Sequence, residues 1–220
     1  IEGATAILIG HLIGGAVMFA AGLIGARTGV GSMETVGMAF GSKGRLWFAL
    51  LNVIQLIGWT AVMIATAATS ADALVPWGNA VWSVIAGAGI ALWILLGIKN
   101  LDKVNRVIMA ALLLLTLFLS RLVFDGIPQP VSGDITFGGA VELAVAMPLS
   151  WLPLIADYTR TAESPVKVTV SSCLSYFIAS CWMFFIGMGA VIYLGSDDLA
   201  AVMAAAGLGC MGILIVLLST

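Results

Sequence analysis

Apolar residues run through this chain in long blocks separated by short polar stretches, and the blocks recur at about the length that a membrane helix requires. A helix crosses the hydrocarbon core with about 20 apolar residues, and within that core every backbone polar group must be paired inside the segment. Seven blocks satisfy this, over approximately residues 3–26, 46–68, 80–98, 105–124, 138–156, 168–194 and 199–220. Barrel strands would instead alternate over about 10 residues, and stretches such as Ala110 to Leu119 do not alternate. The pattern predicts an all-α polytopic membrane protein with about seven transmembrane helices, a single transmembrane domain over 1–220 and no inserted soluble domain.

Composition sharpens this picture. Of 220 residues, 61% are apolar and only 9% charged, with a mean hydropathy of +1.14. A soluble surface needs roughly 25% charged residues. The net charge of −2 includes no basic cluster interleaved with aromatics, which excludes nucleic acid as a main partner. One histidine, His11, excludes a histidine-based metal site or catalytic triad built within this chain, and no cofactor or metal is expected. Cys173, Cys181 and Cys210 sit in apolar runs without a C-x-x-C pair and read as packing residues. The chain lacks an initiator Met and stops inside an apolar run, so it reads as an internal fragment.

Charge also sets an orientation. Arg27, Lys43, Arg45, Lys99, Lys103, Arg106, Arg160 and Lys167 fall after the first, third and fifth blocks, whereas the opposite connections hold Asp72, Asp125, Asp134, Asp197 and Asp198 with Arg121. The positive-inside bias makes the loops 27–45, 99–106 and 157–167 cytoplasmic in a multi-pass protein of the plasma (inner) membrane, with the first helix running inward. Residues 27–45 read as a glycine-rich connector, although Ser32-Met33-Glu34-Thr35 can also start a surface helix. Small residues at Gly10 and Gly14, at Gly25 and Gly29, and at Gly87, Gly89 and Ala91 favour close helix packing in lipid.

Polar chemistry at membrane depth gathers in two places. Asn52, Gln55, Trp59, Met63 and Thr66 recur at helical spacing, and the four other than Met63 share a face at about 100° per residue. An amide and an indole one turn apart offer hydrogen bonds and a stacking plane for a flat heterocycle; an interhelical hydrogen bond from either amide is the alternative. The second place is Pro148-Leu149-Ser150-Trp151-Leu152-Pro153. Each proline lacks an N–H and clashes with the carbonyl four residues back, so the carbonyls of Ala144 and Leu149 are expected to be released and the helix to break near Ser150 and Trp151. Such breaks line cavities in secondary transporters; a simple kink with a packed Trp is the alternative. His11 and Glu142 are further ionisable candidates for proton relay or for plain structural roles.

With these residues in view, the chain resembles the nucleobase-cation symporter family, which includes the cytosine and allantoin/hydantoin permeases, and most nearly its hydroxymethylpyrimidine transporter branch. The likeness lies in His11-Leu12-Ile13-Gly14, Gly22-Leu23-Ile24-Gly25-Ala26-Arg27-Thr28-Gly29, Leu50 to Met63, Gly97-Ile98-Lys99-Asn100-Leu101 and Ala156-Asp157-Tyr158-Thr159-Arg160. It implies a LeuT-like inverted-repeat fold of which this chain holds family helices two to most of eight, and cation-coupled alternating access driven by Na+ or H+. It implies substrate binding by stacking on Trp59, by an amide at Gln55, and by Ser150 at the broken helix. The cytosine permease pattern has Gln and Trp three apart and here they are four apart, so Asn52 and Trp151 stand as alternates. Ser219 falls near a family substrate-contacting Asn. The implied sodium site lies between family helices one and eight, outside or at the edge of this chain. The expected substrate is hydroxymethylpyrimidine, a thiamine precursor, with cytosine, purines or allantoin/hydantoin as alternatives. A membrane-embedded enzyme, lacking a second catalytic group near His11, and an uncoupled channel are the rival classes.

Overall fold

The computed structural model describes residues 1–97, 101–128, 131, 133 and 135–195, all helical or in short connections. The helices are α1 (Glu2–Thr28), α2 (Ser32–Leu74), α3 (Asn79–Gly97), α4 (Leu101–Phe124), α5 (Phe137–Leu149), α6 (Leu152–Thr159) and α7 (Pro165–Gly189), followed by a π-helical turn over Ala190–Leu194. Five stretches among the described residues are long and apolar enough to span a bilayer: Glu2–Thr28, Ser32–Ala73, Arg106–Phe124, Phe137–Thr159 and Pro165–Leu194. The expected span at 80–98 is present as the shorter apolar helix α3. The expected span at 199–220, and with it Ser219 and Cys210, lies outside the described residues.

Large aliphatic side chains stay exposed along these helices, among them Leu12, Ile57, Val84 and Leu95, the last at 75%. On a water-facing monomer such continuous apolar exposure would drive association. Hydrocarbon is the solvent that accepts it.

The chain divides into two compact units. The first comprises Ile1–Gln55 and Ser132–Phe185, and the second Leu56–Val131 and Ile186–Thr220. In the first, α1 packs along both α5 and α6. Glycines make that approach possible: a Cβ at Gly10 would collide with Ala144, one at Gly25 with Ala156, and one at Gly14 would sit 3.0 Å from the Pro148 ring. Packing rather than hydrophobicity drives helix association in lipid, so this smooth face is what lets α1 adhere. Gly87 and Gly89 make no comparably close approach among the described residues: a Cβ at Gly87 would meet only Ile64 at 3.9 Å, and nothing lies within 4 Å of one at Gly89.

Residues 27–45 are not the open connector expected from their glycines. Helix starts directly after Gly31, where the Glu34 carboxylate reaches back to the Gly31 N–H at 3.3 Å and the Gly31 carbonyl accepts from Glu34 and Thr35. This is half of a capping box, which satisfies a donor that a helix start leaves free. The helix is interrupted at Gly41, whose φ of 69° and ψ of −177° belong to a region only glycine occupies easily. A short helix over 32–40 therefore precedes the long one. The other stretches expected as loops are also largely helix ends: 101–106 opens α4, 157–159 closes α6 and 165–167 opens α7. A charge tally places a loop wherever Lys and Arg gather, and the backbone at these positions is still helical.

In the second unit, Asp72 accepts the Gly78 N–H, and the Trp82 indole N–H donates to Val75 O at 2.9 Å, closing the turn between α2 and α3. Trp77 stacks on Trp82 with centroids 5.1 Å apart. Leu119 and Val123 of α4 pack on Ile186 and Ala190.

Candidate functional site

Two prolines break one membrane-length helix into α5 and α6, and the break falls at Ser150 and Trp151 as the sequence predicts. Its form differs from an unwound segment. Ser150 (φ −60°, ψ −20°) and Trp151 (φ −90°, ψ −8°) keep nearly helical dihedrals, and the chain tightens instead of opening. The Trp151 N–H bonds Pro148 O at 3.2 Å and the Leu154 N–H bonds Trp151 O at 3.0 Å, each one residue short of the α-helical partner. That shift of register releases Met147 O and Ser150 O, whose usual donors have turned elsewhere.

Side chains take up both. The Ser150 hydroxyl donates to Met147 O at 2.7 Å and the Tyr176 hydroxyl to the same oxygen at 3.0 Å. Gln55 Nε2 donates to Ser150 O at 3.0 Å, across 95 positions of sequence. The prolines withdraw the α-helical donors of Ala144 O and Leu149 O as expected, and Met147 O and Ser150 O are two further carbonyls that the break brings into play. Proline removes a donor where it stands, but the 3₁₀-like tightening decides which acceptors reach a side chain.

Beside this link lies a cavity of ≈ 480 Å³. Its walls include Ile24, Ser32, Phe40, Phe48, Asn52 and Gln55, with Leu152 and Pro153 from the start of α6. Phe40 and Phe48 face each other with centroids 5.0 Å apart across the Gly41 interruption. The volume is within the range of small-molecule pockets, which are mainly apolar with a few placed polar groups. Asn52 Oδ1 is buried and has no hydrogen-bond partner among the described residues. A buried acceptor without a donor is unfavourable by about 1–3 kcal/mol.

Of the residues singled out from sequence, Gln55 and Ser150 are joined, and Asn52 shares the cavity with Gln55. Trp151 packs instead against Tyr176 and Tyr158, at 5.7 and 5.8 Å, and against the buried cluster of Met18, Ile155 and Cys173. Trp59 belongs to the second unit, where its side chain is 43% exposed. Ser219 is outside the described residues. Ser32, Phe40, Phe48 and Tyr176 were not singled out from sequence. The only local signal for any of them was the helix-start pattern at Ser32.

His11 is completely buried between α1 and α7. Ile7 O accepts from Nδ1 at 2.9 Å, which leaves Nε2 to accept the Ser180 hydroxyl at 2.7 Å. Phe184 meets the imidazole edge-on at 4.9 Å. Both ring nitrogens are satisfied in the neutral tautomer. Glu142 is exposed near the start of α5.

Two of the stretches that carried the resemblance pack on each other. Thr159 donates to Gly22 O, Ala156 covers Gly25, and the Ala156 N–H bonds the buried Ser32 hydroxyl oxygen at 3.2 Å. They form the framework under the cavity. Among the described residues no group of three or more His, Cys, Asp or Glu side chains could hold a metal ion.

Residues 3–219 match a family described as permease for cytosine/purines, uracil, thiamine, allantoin. Cytosine permeases of Escherichia coli strain K12 and of Escherichia coli O157:H7 are each 25% identical over 214 residues, 92% of this chain and 50% of theirs. The chain spans about half the length of the curated relatives it matches.

Proposed function

This chain belongs to the family of permeases for cytosine/purines, uracil, thiamine and allantoin, a transporter family rather than an enzyme family, and we propose that it forms the substrate-binding part of a cation-coupled importer of a flat nitrogen heterocycle. The family implies a LeuT-like fold in which such a broken helix borders the substrate. The observation that carries the reading is the hydrogen bond from Gln55 to Ser150 O, which ties the polar stripe of α2 to that break. A carboxamide held there has one end still available to a ring edge, in a cavity walled by Phe40 and Phe48.

The substrate is read as an aminopyrimidine. Hydroxymethylpyrimidine is the reading that the sequence resemblance favours, and the cytosine permeases among the relatives favour cytosine. Trp59 supplies the stacking plane in this proposal, with Asn52 and Trp151 as the supporting positions and Ser219 as a further contact. The coupling ion is Na+ or H+, and the protein resides in the inner membrane with its Arg27, Arg45 and Lys167 side cytoplasmic.

Uptake of labelled cytosine, hydroxymethylpyrimidine and hydantoin by cells making the full-length protein tests the proposal. Accumulation of one of them above the external concentration, abolished when the sodium or proton gradient is dissipated, is the expected result. Equilibration without accumulation would leave a channel, and no uptake of any of the three would refute the proposal.

A further inference from the structure

A carbonyl oxygen has two lone pairs, and at the break between α5 and α6 both lone pairs of Met147 O are taken by hydroxyls. Ser150 supplies one at 2.7 Å, and Tyr176 of α7 supplies the other at 3.0 Å, across 29 positions of sequence. In an uninterrupted α-helix that oxygen would instead accept the Trp151 N–H. Here the Trp151 N–H goes one residue short, to Pro148 O at 3.2 Å. The two hydroxyls thus occupy the place to which the backbone donor would return, and they hold the break in its tight register.

Tyr176 sets that register from outside the broken helix. Its ring meets the Trp151 indole at 5.7 Å and packs on the buried cluster of Met18, Ile155 and Cys173. One turn further along α7, the Ser180 hydroxyl bonds the buried His11 of α1 at 2.7 Å. Because α1 packs along both α5 and α6, the phenol is fixed relative to both halves of the break. The consequence reaches the cavity. Each residue turns the chain by about 100° in an α-helix and by about 120° in a 3₁₀ turn, and the residues directly after the break, Leu152 and Pro153, are cavity walls. Tyr176 itself does not line the cavity.

We infer that Tyr176 is a positioning residue for transport: its hydroxyl keeps the Trp151 N–H off Met147 O and so fixes the orientation in which Leu152 and Pro153 face the substrate. This rests on the transport reading above and adds to it a residue that acts without touching the cavity. Tyr176→Phe keeps the ring against Trp151 and deletes only the donor, which opens one lone pair of Met147 O to the Trp151 N–H.

The test compares the full-length protein with its Tyr176→Phe variant by two measurements. Hydrogen exchange of the amides over 147–155, followed by mass spectrometry in detergent, should become about threefold faster or more, because the break then samples both registers. Half-saturation of uptake is measured with whichever of labelled cytosine, hydroxymethylpyrimidine and hydantoin the unsubstituted protein accumulates. It should rise about fivefold or more at equal membrane abundance, the factor to which the net worth of one hydrogen bond corresponds. Thr159→Val also deletes a hydroxyl-to-carbonyl bond between helices, and as the control it should change half-saturation far less. Ser150→Ala removes the other hydroxyl from Met147 O and should speed exchange over the same residues, so the lock stays testable if Tyr176→Phe is poorly produced. Unchanged exchange in these variants overturns the inference. Faster exchange with unchanged half-saturation in Tyr176→Phe overturns it too, since Tyr176 would then serve stability alone. If the unsubstituted protein accumulates none of the three compounds, it is the transport reading that fails, a result seen before any variant is made.

Discussion

Thr159 Oγ1 donates to Gly22 O at 2.7 Å from a fully buried position, fastening the end of the broken helix to the middle of α1. The same hydroxyl lies 3.3 Å from Ile155 O, so it has a local alternative if the interhelical bond is lost. Thr159→Val keeps the shape and removes the donor. It should lower stability by about 1 kcal/mol, seen as a lower midpoint in a thermal-shift assay of the full-length protein, with heterocycle affinity changed less than threefold. An unchanged midpoint would mean that the bond contributes nothing net.

The glycine face of α1 predicts a contrast within one residue type. Gly25→Leu puts a side chain where Ala156 already sits and should prevent stable folding or insertion, since over-packing of this kind typically costs 1–3 kcal/mol even where neighbours can relax. Gly89→Ala meets nothing within 4 Å and should be neutral or slightly stabilising in its helix. Protease resistance and yield of monodisperse protein, compared for the two variants, check this directly.

Gln55→Ala should reduce uptake of the transported heterocycle at least tenfold while the protein still reaches the membrane at normal abundance. Its loss frees Ser150 O and, on the proposed reading, also takes the amide away from the substrate. Uptake and surface abundance measured on the same cells separate the two effects. Uptake equal to that of the unsubstituted protein would remove Gln55 from the site.

His11 gives a prediction about packing. Ile7 O and the Ser180 hydroxyl both bond its buried ring, tying α1 to α7. His11→Ala should lower the thermal midpoint of the full-length protein by several degrees, since it removes both bonds and leaves a void beside Phe184. An unchanged midpoint would mean that the buried imidazole contributes nothing net to stability.

Gly41 marks where the chain must depart from helix, and its φ of 69° excludes most side chains. Gly41→Val should destabilise by about 1–3 kcal/mol and displace the helix over 32–40, carrying Phe40 away from Phe48. Fluorescence quenching or cysteine accessibility at position 40 reads the displacement. Gly58→Ala, with nothing within 4 Å of its added Cβ, provides the control.

Much of this was legible in the amino-acid order because bilayer physics acts on stretches of about 20 residues, and hydropathy reports such stretches well. The break at Ser150 and Trp151 was legible because proline acts locally. Its exact pairing was not, since whether Trp151 reaches Pro148 O or Met147 O depends on geometry that composition does not encode. Gln55 was visible as a costly amide in an apolar run, but its partner is a backbone carbonyl, identical in every residue and therefore without a signature. The helix over 32–40 was obscured by the glycines that flank it, Gly29, Gly31, Gly41 and Gly44. Likewise Gly10 and Gly87 look alike in sequence, and only the presence of Ala144 opposite the first distinguishes them.

Because α1 grips α5 through Gly10 and Gly14 and α6 through Gly22 and Gly25, it acts as a splint laid over a fracture. A mended bone does not bend at the old crack. Flexing confined to Ser150 would have to disturb the contacts of Ala144 and Ala156 with α1, so the fracture is braced from both sides, and the Ser32 hydroxyl on the Ala156 N–H extends that brace past the end of α1.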